Sequence, residues 1–186
     1  MTALDSKIIC ANFRQVEQEA LTLRQELNYG DAPLDVFQVM QELNVRVVWS
    51  DQLPASNPDL TVKDWSGVGT VLDDGRLLIL LNSAATLERQ HVTALEEFFH
   101  HRYNHTPVAV DAMGRSQYHE QEEFTAYQTA AACLLPARQV ALAVFHRENP
   151  FTVARRFGAS LELFEMRVKC LNLWPQYTAS TAQGAA

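Results

Sequence analysis

The chain has 186 residues, is 47% hydrophobic and 20% charged, and carries a formal net charge of −7. That length suffices for one domain with a real core, and the acidic balance argues against charge-driven nucleic-acid binding over the whole surface. No run approaches the roughly 18 apolar residues of a membrane span, and the start, Met1 to Lys7, lacks the basic and apolar regions of a signal peptide. A cytoplasmic location with no membrane partner is therefore the expectation. Cys10, Cys133 and Cys170 are too few and too widely spaced for a disulfide framework or a metal knuckle. They read as buried thiols, with Cys133 the one candidate for a redox or metal-blocking switch.

In chain order, Phe13, Val16, Ala20, Leu23 and Leu27 recur at helical spacing, which predicts a helix over 8–27 ended at Gly30. A second helix is expected from Pro33 to Leu43. Val45 to Trp49 is a β-branched run and reads as a strand. Residues 50–64 hold Pro54 and Pro58 and read as a loop. Gly67 to Leu72 and Leu77 to Leu81 flank Asp73-Asp74-Gly75-Arg76, a hairpin signal. Asn82-Ser83 closes the strand.

A long helix is expected over 86–103, then a loop of partly extended character over 106–117. An alanine-rich helix follows over 120–135, stopped by Pro136, and a third over 137–147. Pro150 opens a helical pair, 151–157 and 161–173, split at Gly158-Ala159-Ser160. Residues 178–186 read as a small, polar, disordered tail. The pattern is α+β: mostly helical, with a small three-stranded sheet of antiparallel type beside the 86–103 helix. One domain is expected over 1–177.

The chemistry concentrates in Glu96-Glu97-Phe98-Phe99-His100. On a helix, residues i and i+4 share a face, so Glu96 and His100 are neighbours. The spacing is that of the zinc-peptidase pattern H-E-x-x-H, with glutamate in place of the first histidine. In that pattern the outer residues bind metal and the inner glutamate is the general base. Glu96, His100 and Glu123 from the following helix are thus the candidate ligands, and Glu97 the candidate base. One divalent metal is expected, zinc first and manganese as the alternative.

Two carboxylates and one imidazole make a harder, more anionic site than two imidazoles and one carboxylate. Such a site weakens a bound ion as a Lewis acid. Buried without a cation, three glutamates would repel one another and at least one pKa would rise. His101, His105 and Tyr118 are accessory candidates, as alternative ligands or proton donors. His101 and His105 read as an i, i+4 pair, its face turned by about 100° from His100 if the helix is regular. Against all this stands a plainer reading, a solvated acidic helix face.

These residues resemble the ImmA/IrrE family of gluzincin-like metallopeptidases over about residues 16–172. The resemblance rests on Pro33-Leu34-Asp35, on Leu43-Asn44-Val45-Arg46-Val47, and on Ile79 to Asn82 at the hairpin's end. It continues through Arg89-x-x-x-Thr93-x-x-Glu96-Glu97-x-x-His100, Glu123-x-x-Ala126 through Pro136, and Ala154-x-x-Phe157 through Arg167. Position 96 departs from the family pattern, and with His105-Thr106-Pro107 and Tyr127 it resembles a branch of the family in which E-E-x-x-H, a downstream His-x-Pro and an aromatic after the E-x-x-A occur together. The resemblance implies a cytoplasmic protease that cuts a helix-turn-helix repressor of the XRE type and so switches on stress, phage, mobile-element or defence genes. The short strands would hold the substrate extended.

A catalytically weak or inactive member that binds a regulatory partner without cutting it is the alternative. A di-iron protein would need a second Glu-x-x-His from another helix, which the sequence lacks. Arg147, Arg155, Arg156, Arg167 and Lys169 lend the 154–173 segment some positive charge. Glu148, Glu162 and Glu165 interrupt it, so the segment reads as a packed helical pair, with nucleic acid at most a regulatory ligand.

Overall fold

The computed structural model describes residues 13–53, 65–110 and 116–183. The first part of the expected N-terminal helix, Cys10, most of the 50–64 loop and residues 111–115 and 184–186 lie outside them. The chain divides into two compact units, residues 35–130 and the described parts of 1–34 and 131–186.

The 35–130 unit carries the sheet. Helix α2 (Val36–Glu42) starts where the Asp35 carboxylate accepts the Gln38 N–H at 3.1 Å, an N-cap. Strand β1 (Arg46–Trp49) follows directly. Strands β2 (Gly67–Val71) and β3 (Leu77–Leu81) form the expected hairpin, with Gly75 at φ +82° in its turn. The left-handed conformation there suits a residue without Cβ.

The strand order is β1-β3-β2. β2 pairs antiparallel with β3, Gly69 opposite Ile79, but β1 pairs parallel with β3, Val47 opposite Ile79. The sheet is therefore mixed, which corrects the antiparallel expectation. β3 takes the centre because it has the most apolar sequence, and alternate residues Leu77, Ile79 and Leu81 are buried. Each such side chain contributes about 1.5–3 kcal/mol by leaving water.

Helix α3 (Leu87–Arg102) is capped by Thr86, whose hydroxyl accepts the Arg89 N–H. Ala94, Leu95 and Phe99 are fully buried, and the helix packs against β2 and β3. Asn82 ties off β3 by donating to the Trp65 carbonyl and accepting the Ala84 N–H, each at 2.9 Å. Beyond α3, two-residue strands β4 (Ala109–Val110) and β5 (Ser116–Gln117) pair antiparallel, giving the expected extended character. Helix α4 (Glu120–Leu134) then begins, and its residues from Ala131 belong to the second unit.

That second unit is helical: α1 (Phe13–Glu26), α5 (Ala137–Phe145), α6 (Pro150–Arg156), α7 (Leu161–Cys170) and α8 (Trp174–Gln183), with the end of α4. Val16, Ala20 and Leu23 form the buried stripe of α1. Arg24, on the same helix, is 2% exposed and donates to the carbonyls of Gly30, Ala32 and Cys133. The Cys133 and Cys170 thiols are both buried.

Arg167 is fully buried, paired with Glu17 at 2.6 Å, and Leu163, Phe164 and Val168 are buried beside it. α7 is thus a packing helix, and Glu162 is among the few residues it exposes. Helix α8 carries the described chain through Gln183, into the segment expected as a small, polar tail from Thr178. Lys169 sits 4.4 Å over the Trp174 ring, and the Tyr177 hydroxyl donates to Glu165 at 3.0 Å. Those contacts anchor a segment whose composition carries little helix signal. Among the described residues no single helix is long and apolar enough to cross a membrane.

Candidate metal centre

All the candidate site residues lie in the 35–130 unit. The i, i+4 spacing on α3 presents Glu96 and His100 on one face. Glu123 comes from the first turn of α4. One oxygen or ring nitrogen from each of Glu96, His100 and Glu123 lies within 4.8 Å of the others. His100 is 2% exposed, and its Nε2 is 3.5 Å from Glu123 Oε2. The other Glu123 oxygen accepts the Tyr118 N–H at 3.4 Å, so the backbone before α4 orients that carboxylate.

Glu97, one residue round the helix, is held differently. Its Oε2 accepts the Gly69 N–H of β2 at 2.9 Å. β2 is an edge strand, and its hydrogen bonds to β3 use the residues on either side of Gly69. Gly69 therefore points its N–H away from the sheet, and Glu97 takes it.

Sequence reasoning did not single out Gly69. The signal was present in Gly67-x-Gly69 inside a strand, since interior strand glycines mark close backbone approach. A Cβ at Gly69 would lie 2.9 Å from Glu97 Oε2 and 3.4 Å from Glu97 Cβ. At Gly67 it would lie 2.6 Å from the Thr93 methyl. The two glycines let α3 settle onto the sheet.

His105 is not the i+4 partner of His101 that the sequence suggests. α3 ends at Arg102, Asn104 adopts φ +53°, and the chain turns back, with the His105 N–H donating to the His100 carbonyl at 3.0 Å. Asparagine tolerates that left-handed conformation. The His105 ring then meets His100, Nδ1 to Nδ1, at 3.0 Å. Tyr118 stacks on the face of the His100 ring, ring centroids 3.8 Å apart and planes 22° from parallel. His101 is exposed and lies outside the donor group. With Thr70, Val71, Pro107 and Ser116, the residues Gly69, Glu97, His100, His101, His105 and Tyr118 line a cleft of about 230 Å³.

The electrostatics are those of a site short of positive charge. Burial, then the neighbouring Glu97 carboxylate, push the Glu96 pKa up to about 8. Burial also raises Glu97, to about 7, although the Gly69 N–H works the other way. Burial, then His105, drive His100 down to about 4, which leaves it neutral at pH 7, the form that ligates metal. Burial raises Tyr118 and lowers His105.

These features fit a divalent ion. In a tetrahedral zinc site the ligand bond lengths place neighbouring nitrogen and oxygen donors about 3.4 Å apart. The 3.5 Å from His100 Nε2 to Glu123 Oε2 matches that spacing, and it is long for a hydrogen bond to a carboxylate. A cation would also offset the cost of three clustered carboxylates.

Residues 40–169 match the family described as the IrrE N-terminal-like domain, Peptidase_M78. The chain belongs to that family. IrrE N-terminal-like domains form a metallopeptidase family, and the donor group described above lies within the matched region. No curated protein matches the chain in sequence. Among solved structures it is similar to a Mycobacterium tuberculosis transcriptional regulator, with 16% identity and a TM-score of 0.55. The match covers 87% of this chain and 50% of that one, so the chain spans about half the regulator's length. At that identity the likeness concerns the fold.

Proposed function

We propose that this IrrE N-terminal-like domain is a metal-dependent endopeptidase acting on a regulatory protein, with a helix-turn-helix repressor as its substrate class. The observation that carries the reading is the Glu96, His100 and Glu123 donor group, with Glu97 beside Glu96 on α3 and both Glu97 and His100 lining one cleft. Those three residues would hold one divalent ion, zinc first and manganese as the alternative. Such an ion supplies Lewis acidity toward a peptide carbonyl and toward water.

The rest falls to the chain. Glu97 accepts a proton from the attacking water and returns it to the leaving amine, as a general base and then acid. The Gly69 N–H holds its carboxylate in place. Its elevated pKa suits that exchange near neutral pH. His100 ligates as the neutral imidazole, its ring plane fixed by Tyr118. The outward edge of β2 offers a substrate backbone the rest of its hydrogen-bonding groups. The repressor as substrate, and the control of stress, phage or defence genes, come from the family resemblance.

A second reading, binding a regulator without cutting it, draws on Glu96, whose charge weakens the ion's Lewis acidity relative to a histidine ligand. The two part on one experiment. The metal-loaded protein and its Glu97→Gln variant are incubated with candidate repressors, and the products are read by mass spectrometry. Cleavage by the wild type and none by the variant is the expected result. A complex that forms without cleavage in either protein would favour the second reading.

A further inference from the structure

We propose that His105 is a positioning residue that sets the tautomer of His100, keeping its Nε2 bare and aimed at the metal site before any ion arrives. The inference rests on the metal reading above. Its ground is the contact between the two Nδ1 atoms at 3.0 Å, which share a single proton.

The proton has two places. On His105, it makes His100 Nδ1 an acceptor, and the neutral His100 ring then carries its own proton on Nε2. That proton faces the donor group and blocks it. On His100, it leaves Nε2 with a free lone pair, and His105 accepts through Nδ1 with its own proton on Nε2. Only the second arrangement lets His100 ligate.

On the Nε2 side, Glu123 Oε2 stands 3.5 Å away, beyond the usual reach of an N–H···O bond to a carboxylate, so no hydrogen bond to that carboxylate holds a proton on Nε2. A ligating histidine commonly gives its other N–H to a carboxylate or a backbone carbonyl, which fixes tautomer and orientation. In this chain an imidazole takes that part. The left-handed Asn104 folds the chain back, and the His105 N–H to His100 carbonyl bond closes the turn. The His105 ring meets His100 edge to face, with centroids 5.0 Å apart and planes at 73°, so its Nδ1 reaches the ring edge while Tyr118 covers the face.

The test uses the full chain in two measurements. The first is ¹⁵N imidazole NMR of the metal-free protein, which separates protonated from bare ring nitrogens. The expected pattern is a protonated Nδ1 and a bare Nε2 on His100, with the reverse on His105. A proton on His100 Nε2 would overturn the proposal without any metal being added.

The second is zinc affinity by chelator competition for the wild type, His105→Ala and His105→Gln, with folding checked by circular dichroism. His105→Ala should bind about 10- to 100-fold more weakly. His105→Gln, whose side-chain carbonyl is an acceptor, should recover part of the loss. Equal affinity in the wild type and His105→Ala would overturn the role of His105 and leave the metal reading standing. A wild type that takes up no zinc would overturn both. If His105→Ala fails to fold, His105→Gln and the wild-type NMR pattern still decide.

Discussion

Removing the metal should make the protein's stability fall as pH rises, because the site buries carboxyl groups that hold their protons. Glu96 is raised to about 8 and Glu97 to about 7 in the folded chain, chiefly by burial, against about 4.3 when unfolded. An acid whose folded pKa lies above its unfolded value binds its proton better in the folded state. Its contribution is fully present below about pH 4 and is lost as pH rises toward the folded pKa.

Each retained proton changes stability by about 1.4 kcal/mol per pH unit. Because Glu96 and Glu97 interact, one shared proton is the safer count. Between pH 5 and 7 that is a loss of roughly 3 kcal/mol, and His100, lowered to about 4 against about 6.5 unfolded, returns roughly 2 kcal/mol over the same range, for a net loss of about 1 kcal/mol in the chelated protein. The assay is urea denaturation with a chelator at half-unit pH steps, repeated with saturating zinc. Zinc should flatten or reverse the trend, since metal binding favours ionised ligands. The Glu96→Gln, Glu97→Gln double variant should remove the carboxyl part of the slope without zinc. An identical change between pH 5 and 7 in the chelated wild type and in a chelated Glu96→Gln, Glu97→Gln double variant would refute the reasoning, since the carboxylates would then be solvated or paired.

Two further predictions concern packing. Gly69→Ala should displace the Glu97 carboxylate, because the new methyl would lie 2.9 Å from its oxygen. Losing a charged hydrogen bond costs about 1.5–3 kcal/mol, and replacing a strand glycine returns about 0.5–1 kcal/mol. A net loss of about 1–2 kcal/mol by urea denaturation is expected, and it should vanish in a Glu97→Ala background. An equal loss in both backgrounds would place the strain elsewhere. In the helical unit, Glu17→Ala strands the fully buried Arg167 guanidinium and should cost about 3–5 kcal/mol. A loss below about 1 kcal/mol would mean that the Leu135 carbonyl, which also accepts from Arg167, suffices.

Much of this was legible in the sequence for a definite reason. Glu96 and His100 share a face by helical period alone, and β3 announces itself through five consecutive apolar residues. Pro136 and Gly75 act locally, so the elements they bound end close to expectation. The parallel pairing of β1 with β3 is a long-range choice that no local residue records.

His105 was misplaced because a continuing helix and a break at Asn104 differ in one backbone conformation. Gly69 was passed over because a strand glycine names no partner until α3 is seen against it. The α8 helix depends on Tyr177 and Trp174 finding Glu165 and Lys169 on α7, contacts its own composition does not encode.

The central claim is that Glu96, His100 and Glu123 hold a metal despite the glutamate at position 96. Its most direct test is the metal content of the purified protein by mass spectrometry, with Glu96→Ala and Glu123→Ala alongside. The account predicts a single zinc or manganese ion per wild-type chain, lost from both variants. A wild type that stays metal-free after zinc and manganese are supplied, or variants that keep full occupancy, would contradict it.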